Sequence, residues 1–249
     1  MLEWNQIYNE DCMGDKGMRL LPDKSIDLIL CDLPYGTTQC KWDSIIPLDQ
    51  LWEQYHRVAK DNSAFVLTAN EPFTSILITS NLKNYKTKWV WDKVKSNGFL
   101  NAKRQPMRRY EEIVVFYRKQ CVYNPQMTKG ERVRRKQAYN TNSGTGEMCY
   151  GKFQNTVSYN DDKYPTNIIQ ISNASQKNKL HPTEKPVALF EYLIRTYSDP
   201  GAVILDNCIG SGTTAIATLN VGEDRKFIGF EIDQAYFSIA SDRVSKHAC

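Results

Sequence analysis

Short, nearly uninterrupted apolar runs recur along this chain: Ile26-Asp27-Leu28-Ile29-Leu30-Cys31, Ala64-Phe65-Val66-Leu67-Thr68, Ala202-Val203-Ile204-Leu205-Asp206 and Lys226-Phe227-Ile228-Gly229-Phe230. A strand with one wet face alternates apolar and polar residues, whereas a continuous run suits a strand covered by helices on both faces. Helical patterns lie between these runs. Leu51, Trp52, Tyr55, Val58 and Ala59 mark a helix over about 48–60, opened by Pro47, and residues 72–80 read as another. Thr183 and Pro186 open a third with a stripe of Val187, Phe190, Ile194 and Tyr197, and an Ala/Ile/Leu-rich helix runs through Leu219. Further strands are expected over 88–92 and 112–117. Such alternation predicts an α/β fold built on a doubly wound, mainly parallel sheet, in which ligands bind beyond the carboxyl ends of the strands.

At 249 residues the chain suffices for one sizeable core and a smaller inserted lobe. The texture changes near Cys121, and residues 137–180 are rich in Asn, Ser, Thr, Gly and Tyr without periodicity, which marks 121–180 as an insertion between 1–120 and 181–249. A cytoplasmic protein with no membrane association is expected, since no basic-then-apolar leader or membrane-length apolar run is seen. Seven cysteines without a CxxC pair argue for reduced, mostly buried thiols and for no metal site.

Two of the apolar runs end in unusual loops. Asp206-Asn207-Cys208-Ile209-Gly210-Ser211-Gly212-Thr213 follows one strand, and Glu231 ends the next, 25 residues after Asp206. This is the plan of a nucleoside-binding βαβ unit, in which glycines admit close approach of a ligand and the second acid accepts hydrogen bonds from ribose hydroxyls. The loop lacks both the third glycine of a dinucleotide fingerprint and the Gly-Lys-Ser/Thr of a phosphate loop. S-adenosylmethionine, a nucleoside carrying a sulfonium and no phosphate, is therefore the expected cofactor.

The other loop is Asp32-Leu33-Pro34-Tyr35. An exocyclic base amine is a poor nucleophile until acceptors engage its hydrogens, and the Asp32 carboxylate and Leu33 carbonyl are expected to do so. Pro34 stiffens the turn, and Tyr35 offers a ring face for an extruded base. Cys31 lies within the strand with its side chain directed away from that of Asp32, so it is not expected to act as a nucleophile. Residues 83–136 hold 16 Lys and Arg against four acids, a net +12 in a chain of net +4. This asymmetry predicts a polyanionic partner, with Arg104, Arg108, Arg109, Arg132, Arg134 and Arg135 on phosphates.

Together these residues resemble the permuted amino-group DNA methyltransferases of bacteria and phages. Asp32-Leu33-Pro34-Tyr35 looks like that class's Asp-Pro-Pro-Tyr motif, with Leu33 in place of the first proline. His181-Pro182-Thr183-Glu184-Lys185-Pro186 looks like the motif before its cofactor-side helix, and residues 206–214 look like its cofactor loop, with Cys208-Ile209 where Thr-Met is commoner. The resemblance implies a circularly permuted Rossmann-like methyltransferase fold: catalytic half 1–120, target-recognition insertion 121–180, cofactor half 181–249. It further implies that Asp11 lies near the cofactor adenine, Thr183 and Lys185 near its carboxylate, residues 206–213 along the methionine portion and Glu231 on the ribose, with Asp32 also in contact with the cofactor. Methylation of adenine N6 in a specific double-stranded DNA sequence is expected, the acid at position 32 favouring adenine. It admits a homodimer and a cognate restriction endonuclease as protein partners. Cytosine N4, RNA or protein glutamine as acceptor, a non-catalytic nucleic-acid-binding module and a nicotinamide-dependent dehydrogenase are the alternatives.

Overall fold

In the computed structural model, residues 2–36, 44–130, 162–173 and 184–247 are described. Strand β2 (Ile26–Asp32) shows how the sequence builds the layers. Its residues alternate between two cores: Ile29 and Cys31 face one way, Leu28 and Leu30 the other, and all four are fully buried. On the first side lie helices α1 (Leu48–Val58) and α2 (Phe73–Ser80), which contribute Leu51, Trp52, Tyr55, Val58, Phe73 and Leu77. On the second lie α3 (Val187–Tyr197) and α4 (Thr213–Val221), with Leu189, Phe190, Leu193, Ile194 and Ala217. Each fully buried Leu, Ile or Phe contributes about 1.5–3 kcal/mol, so a strand covered on both faces gains twice over.

The remaining strands are β1 (Gln6–Tyr8), β3 (Ala59–Ala69), β4 (Tyr85–Asn97), β5 (Arg108–Phe116), β8 (Ile168–Gln170), β9 (Val203–Asp206) and β10 (Lys226–Phe230). They join β2 in one eight-stranded sheet of order β1-β10-β9-β2-β3-β5-β4-β8. Pairing is parallel from β1 through β3 and between β4 and β8, and antiparallel where β5 meets β3 and β4. The expected doubly wound, mainly parallel sheet is thus present. A second unit, Pro125–Pro165, carries the two-residue strands β6 (Thr128–Lys129) and β7 (Asp162–Lys163), paired antiparallel. It occupies less than the expected insertion at 121–180, because Ile168–Gln170 returns to the main sheet as its edge strand beside β4.

The predicted helix over 48–60 stops at Val58. Ala59 adopts extended backbone and pairs with Ile26, while the Arg118 guanidinium donates to the carbonyls of His56, Ala59 and Lys60 at 2.8–3.2 Å. Helix α5 (Gln234–His247) was not anticipated, since Ala240 is its one fully buried side chain and the apolar stripe is correspondingly faint. No helix among the described residues is long and apolar enough to cross a membrane.

Gly229 shows how tightly the loop after β9 folds back on the sheet. A Cβ there would stand 2.4 Å from Ile209 Cδ1 and 3.2 Å from its Cβ, while the Ile209 N–H donates to the Phe230 carbonyl at 2.9 Å. Gly229→Ala is therefore expected to lower stability by about 1–3 kcal/mol. The check is a lower urea midpoint with an unchanged slope.

Candidate active site

Because β1, β10, β9, β2 and β3 run parallel, their carboxyl ends share one edge of the sheet. Asp32 ends β2, Asp206 ends β9, Glu231 follows β10, and the Asn9-Glu10-Asp11 turn follows β1. The two loops singled out in the sequence meet there. Asp32, Leu33, Pro34 and Tyr35 line one cavity of about 640 Å3 together with Asp206, Asn207, Cys208, Gly210, Ser211, Thr213 and Glu231, and Asp11 and Lys185 also line it. That volume lies within the roughly 300–1,000 Å3 of small-molecule sites.

The Asp32 carboxylate is held on three sides. Its Oδ1 accepts from the hydroxyls of Tyr35, at 2.7 Å, and of Thr68, while its Oδ2 accepts from Lys185 Nζ at 2.6 Å. Tyr35 stacks on Phe73 with ring centroids 5.3 Å apart. Burial and the nearby charges of Asp32 and Glu111 push the Tyr35 phenol well above its ordinary range, so it remains a donor. Lys185 also approaches Glu111 Oε2 at 3.4 Å, and Glu111 Oε1 accepts from Lys93 Nζ at 3.0 Å. Asp32, Lys185, Glu111 and Lys93 thus form a chain of alternating charge. Burial opposes charge on both inner members. The two carboxylates nevertheless raise the Lys185 ammonium above its usual value, and the two ammonium groups lower the Glu111 carboxyl below its own.

On the cofactor side, Asp206 is buried and accepts from the Thr214 hydroxyl and, at 3.1 Å, from the Cys208 N–H. Asn207 Oδ1 accepts from the Tyr55 hydroxyl at 2.5 Å. Gly210 and Gly212 have left-handed φ of 55° and 85°. A Cβ on Gly210 would meet open space, and one on Gly212 would press on Ala240 of α5 at 3.1 Å, so one glycine leaves room at the pocket and the other admits a helix. Glu231 accepts from the backbone N–H groups of Gly210 and Asp233, both at 2.8 Å. Arg243 of α5 ties the loop down, donating to the Ser211 carbonyl at 2.7 Å and to Glu184 at 2.9 Å. Asp11 caps its own turn by accepting from the Met13 N–H at 2.9 Å. Eight carboxylates line the cavity against the single ammonium of Lys185. Such a cavity suits a cationic ligand rich in hydroxyl and amine donors and repels phosphates.

Not every expected residue reaches this site. Thr183, His181 and Pro182, and the expected phosphate contacts Arg132, Arg134 and Arg135, lie outside the described residues. Arg104, Arg108 and Arg109 are exposed on and before β5, and Arg109 grips Asp92 with two bonds of 2.8 and 2.9 Å. Cys31 is fully buried and is not among the residues lining the cavity, and burial pushes its thiol up to about 12. Thr68, Lys93, Glu111 and Arg243 were not read from the sequence, and Glu184 was read only as part of the motif 181–186. Thr68 alone left a signal, as the polar end of a buried run parallel to β2.

Burial pushes the Asp206 carboxyl up to about 7, against the Thr214 and Cys208 donors that favour its charge. An acid whose folded value lies above its unfolded one stabilises the fold at low pH and loses that contribution as pH rises through the folded value. Relative to Asp206→Asn, the wild type is expected to lose stability between pH 4 and 7, at up to about 1.4 kcal/mol per pH unit. Paired denaturation curves across that range check it.

Comparison with known proteins agrees with this geometry. The DNA adenine methyltransferase YhdJ of Escherichia coli (strain K12) is 29% identical over 259 residues, which cover 97% of this chain and 83% of that protein. The solved M1.HpyAVI–SAM complex is 24% identical with a TM-score of 0.62, covering 96% of this chain and 98% of that one. The cytosine-N4-specific PvuII DNA methyltransferase, 15% identical, has a TM-score of 0.66 and coverage of 97% and 90%. Both structures share the fold. Residues 26–242 match the DNA methylase family of N6/N4 type, and with the strand-end acid, the Pro-Tyr turn and the glycine loop brought into one cavity, the chain belongs to that family of amino-group DNA methyltransferases.

Proposed function

We propose that this protein transfers a methyl group from S-adenosylmethionine to N6 of adenine in a specific double-stranded DNA sequence. The observation that carries the reading is the single acid-lined cavity in which Asp32-Leu33-Pro34-Tyr35 faces the glycine loop. S-adenosylmethionine supplies an electrophilic methyl on a sulfonium. The residues present fit it: Glu231 for the ribose hydroxyls, Asp206 and the other carboxylates for its positive charge, and the open space before Gly210 for close approach to backbone. Lys185 is the one ammonium able to meet a carboxylate there, and Asp11 stands at the cavity's far strand end.

At the other end of the cavity Asp32 positions the amine. A carboxylate offers about four acceptor sites. Tyr35 and Thr68 occupy those of Oδ1 and Lys185 one of Oδ2, which leaves a lone pair of Oδ2 for an amine hydrogen, with the Leu33 carbonyl as acceptor for the second. Phe73 stacks on Tyr35 and Lys185 Nζ lies over its ring 5.6 Å from the centroid, so the ring is held rigidly where an extruded base would meet it. Asp32 orients the amine and draws electron density back onto nitrogen as its hydrogens are held. The base must leave the duplex, and the cationic stretch with Arg104, Arg108 and Arg109 provides the phosphate contacts. Adenine is favoured over cytosine by the acid at position 32 and by the name of the YhdJ relative. Assembly as a homodimer or beside a cognate restriction endonuclease belongs to the same family reading.

Incubation with labelled S-adenosylmethionine and mixed DNA, followed by nucleoside digestion, is expected to give N6-methyladenine. N4-methylcytosine would overturn the base assignment, and no product the reaction. Asp32→Ala is expected to lower turnover by about a hundredfold or more while calorimetry still detects cofactor binding; wild-type turnover in that variant would sink the role given to Asp32.

A further inference from the structure

The end of β4, the start of β5 and the connection between them combine two properties that rarely coincide on a surface. Every residue from 94 to 110 is exposed, and no carboxylate interrupts the sequence between Asp92 and Glu111. Lys95, Lys103, Arg104 and Arg108 make no ion pair among the described residues. Yet the same stretch carries Val94, Phe99, Leu100, Met107 and Tyr110 as exposed apolar groups. Phe99 at 78% and Leu100 at 98% are the most exposed large apolar side chains among the described residues.

The tip is built to hold them out. Val94 and Gly98 take left-handed φ of 66° and 90°, a conformation that a β-branched residue rarely adopts. Val94 marks an irregularity within β4, whose pairing with β5 resumes at Asn97 with Arg108, and Gly98 then turns the chain into a short 3-10 turn, Phe99–Asn101. Backbone bonds from Asn101 to Gly98, Ala102 to Phe99 and Arg104 to Asn101, at 2.9–3.0 Å, fix that turn. Asn97, two residues before Phe99, lines the catalytic cavity. Phe99 therefore stands within about 7 Å of backbone from the cavity wall.

We infer that Phe99 and Leu100 form an apolar wedge that enters the DNA stack where the target base leaves it, with Lys95, Lys103, Arg104 and Arg108 on the flanking phosphates. The inference rests on the proposed extraction of the base. An apolar pair in a stretch of exposed cations that make no ion pair among the described residues complements a duplex, whose phosphates surround a stacked apolar interior. A protein partner would be met through the same cationic stretch only if it were strongly acidic. Filling the gap left by an extruded base opposes its return, so the wedge acts on a paired target and not on one already unpaired.

The site is first located by mapping the methylation that the wild type leaves on unmethylated plasmid DNA, and a duplex oligonucleotide carrying it is the probe. With Phe99→Ala and Leu100→Ala combined, kcat/KM on the paired duplex is expected to fall about tenfold or more. On the same duplex with the base opposite the target removed, it stays within about twofold of wild type. Phe99→Trp, which keeps a large ring, retains activity on the paired duplex. Equal loss on both duplexes, no loss on the paired one, or a change of oligomeric state in sedimentation that accounts for the loss would overturn the wedge. Absence of methylation of either duplex by the wild type removes the proposed reaction and the wedge together, so the two failures are told apart.

Discussion

The structure hangs on one parallel pairing between strands far apart in sequence, Leu28 with Ile204 and Ile29 with Leu205. Asp27 fastens its entrance: one carboxylate oxygen accepts from the Val203 N–H at 3.0 Å and the other from Lys60 Nζ at 2.7 Å. Since β2 and β9 run in the same direction and in this register, the residues that end them, Asp32 and Asp206, arrive at one edge of the sheet. A slip of one residue would turn every side chain of β2 to the opposite core and take Asp32 out of the cavity. The buried alternation of Leu28, Ile29, Leu30 and Cys31 between two helical layers excludes that slip.

Gathering strand ends also gathers acids, which is costly for a fold. Charges withdrawn from water require partners, and unpaired ones shift toward their neutral forms. Both responses are visible. Asp32, Lys185, Glu111 and Lys93 pair with one another in sequence, carboxylate beside ammonium. Asp206 has hydroxyl and amide donors but no cation among the described residues, and burial raises its affinity for a proton. The asymmetry suits the proposed reaction, in which Asp32 holds an amine and Asp206 faces a positively charged cofactor.

Much of this was legible in the sequence because it is local. Continuous apolar runs marked β2, β9 and β10, and the residues that break those runs, Asp32, Asp206 and Glu231, are the ones found at the cavity. The glycine spacing in 210–212 was equally readable, since left-handed backbone imposes its own residue preference. Strand β1, with three partly exposed residues, and β8, with three at the sheet edge, carry too few buried positions to show a period. Helix α5 presents the same difficulty, with one fully buried side chain in fourteen residues.

The sequence by itself determined the type of each principal element, the acid at each strand end and the Pro-Tyr and glycine turns that follow, because propensity, periodicity and turn chemistry depend on neighbours along the chain. Only the tertiary structure decided that Thr68 and Lys185 grip Asp32, that Glu111 and Lys93 extend this contact into a chain of charges, and that Arg243 clamps the glycine loop. Those partners lie 32 or more positions apart, apart from the nearer Lys93 and Glu111. Their meeting follows from strand order and register, which are set by how whole faces pack and not by any short run of residues.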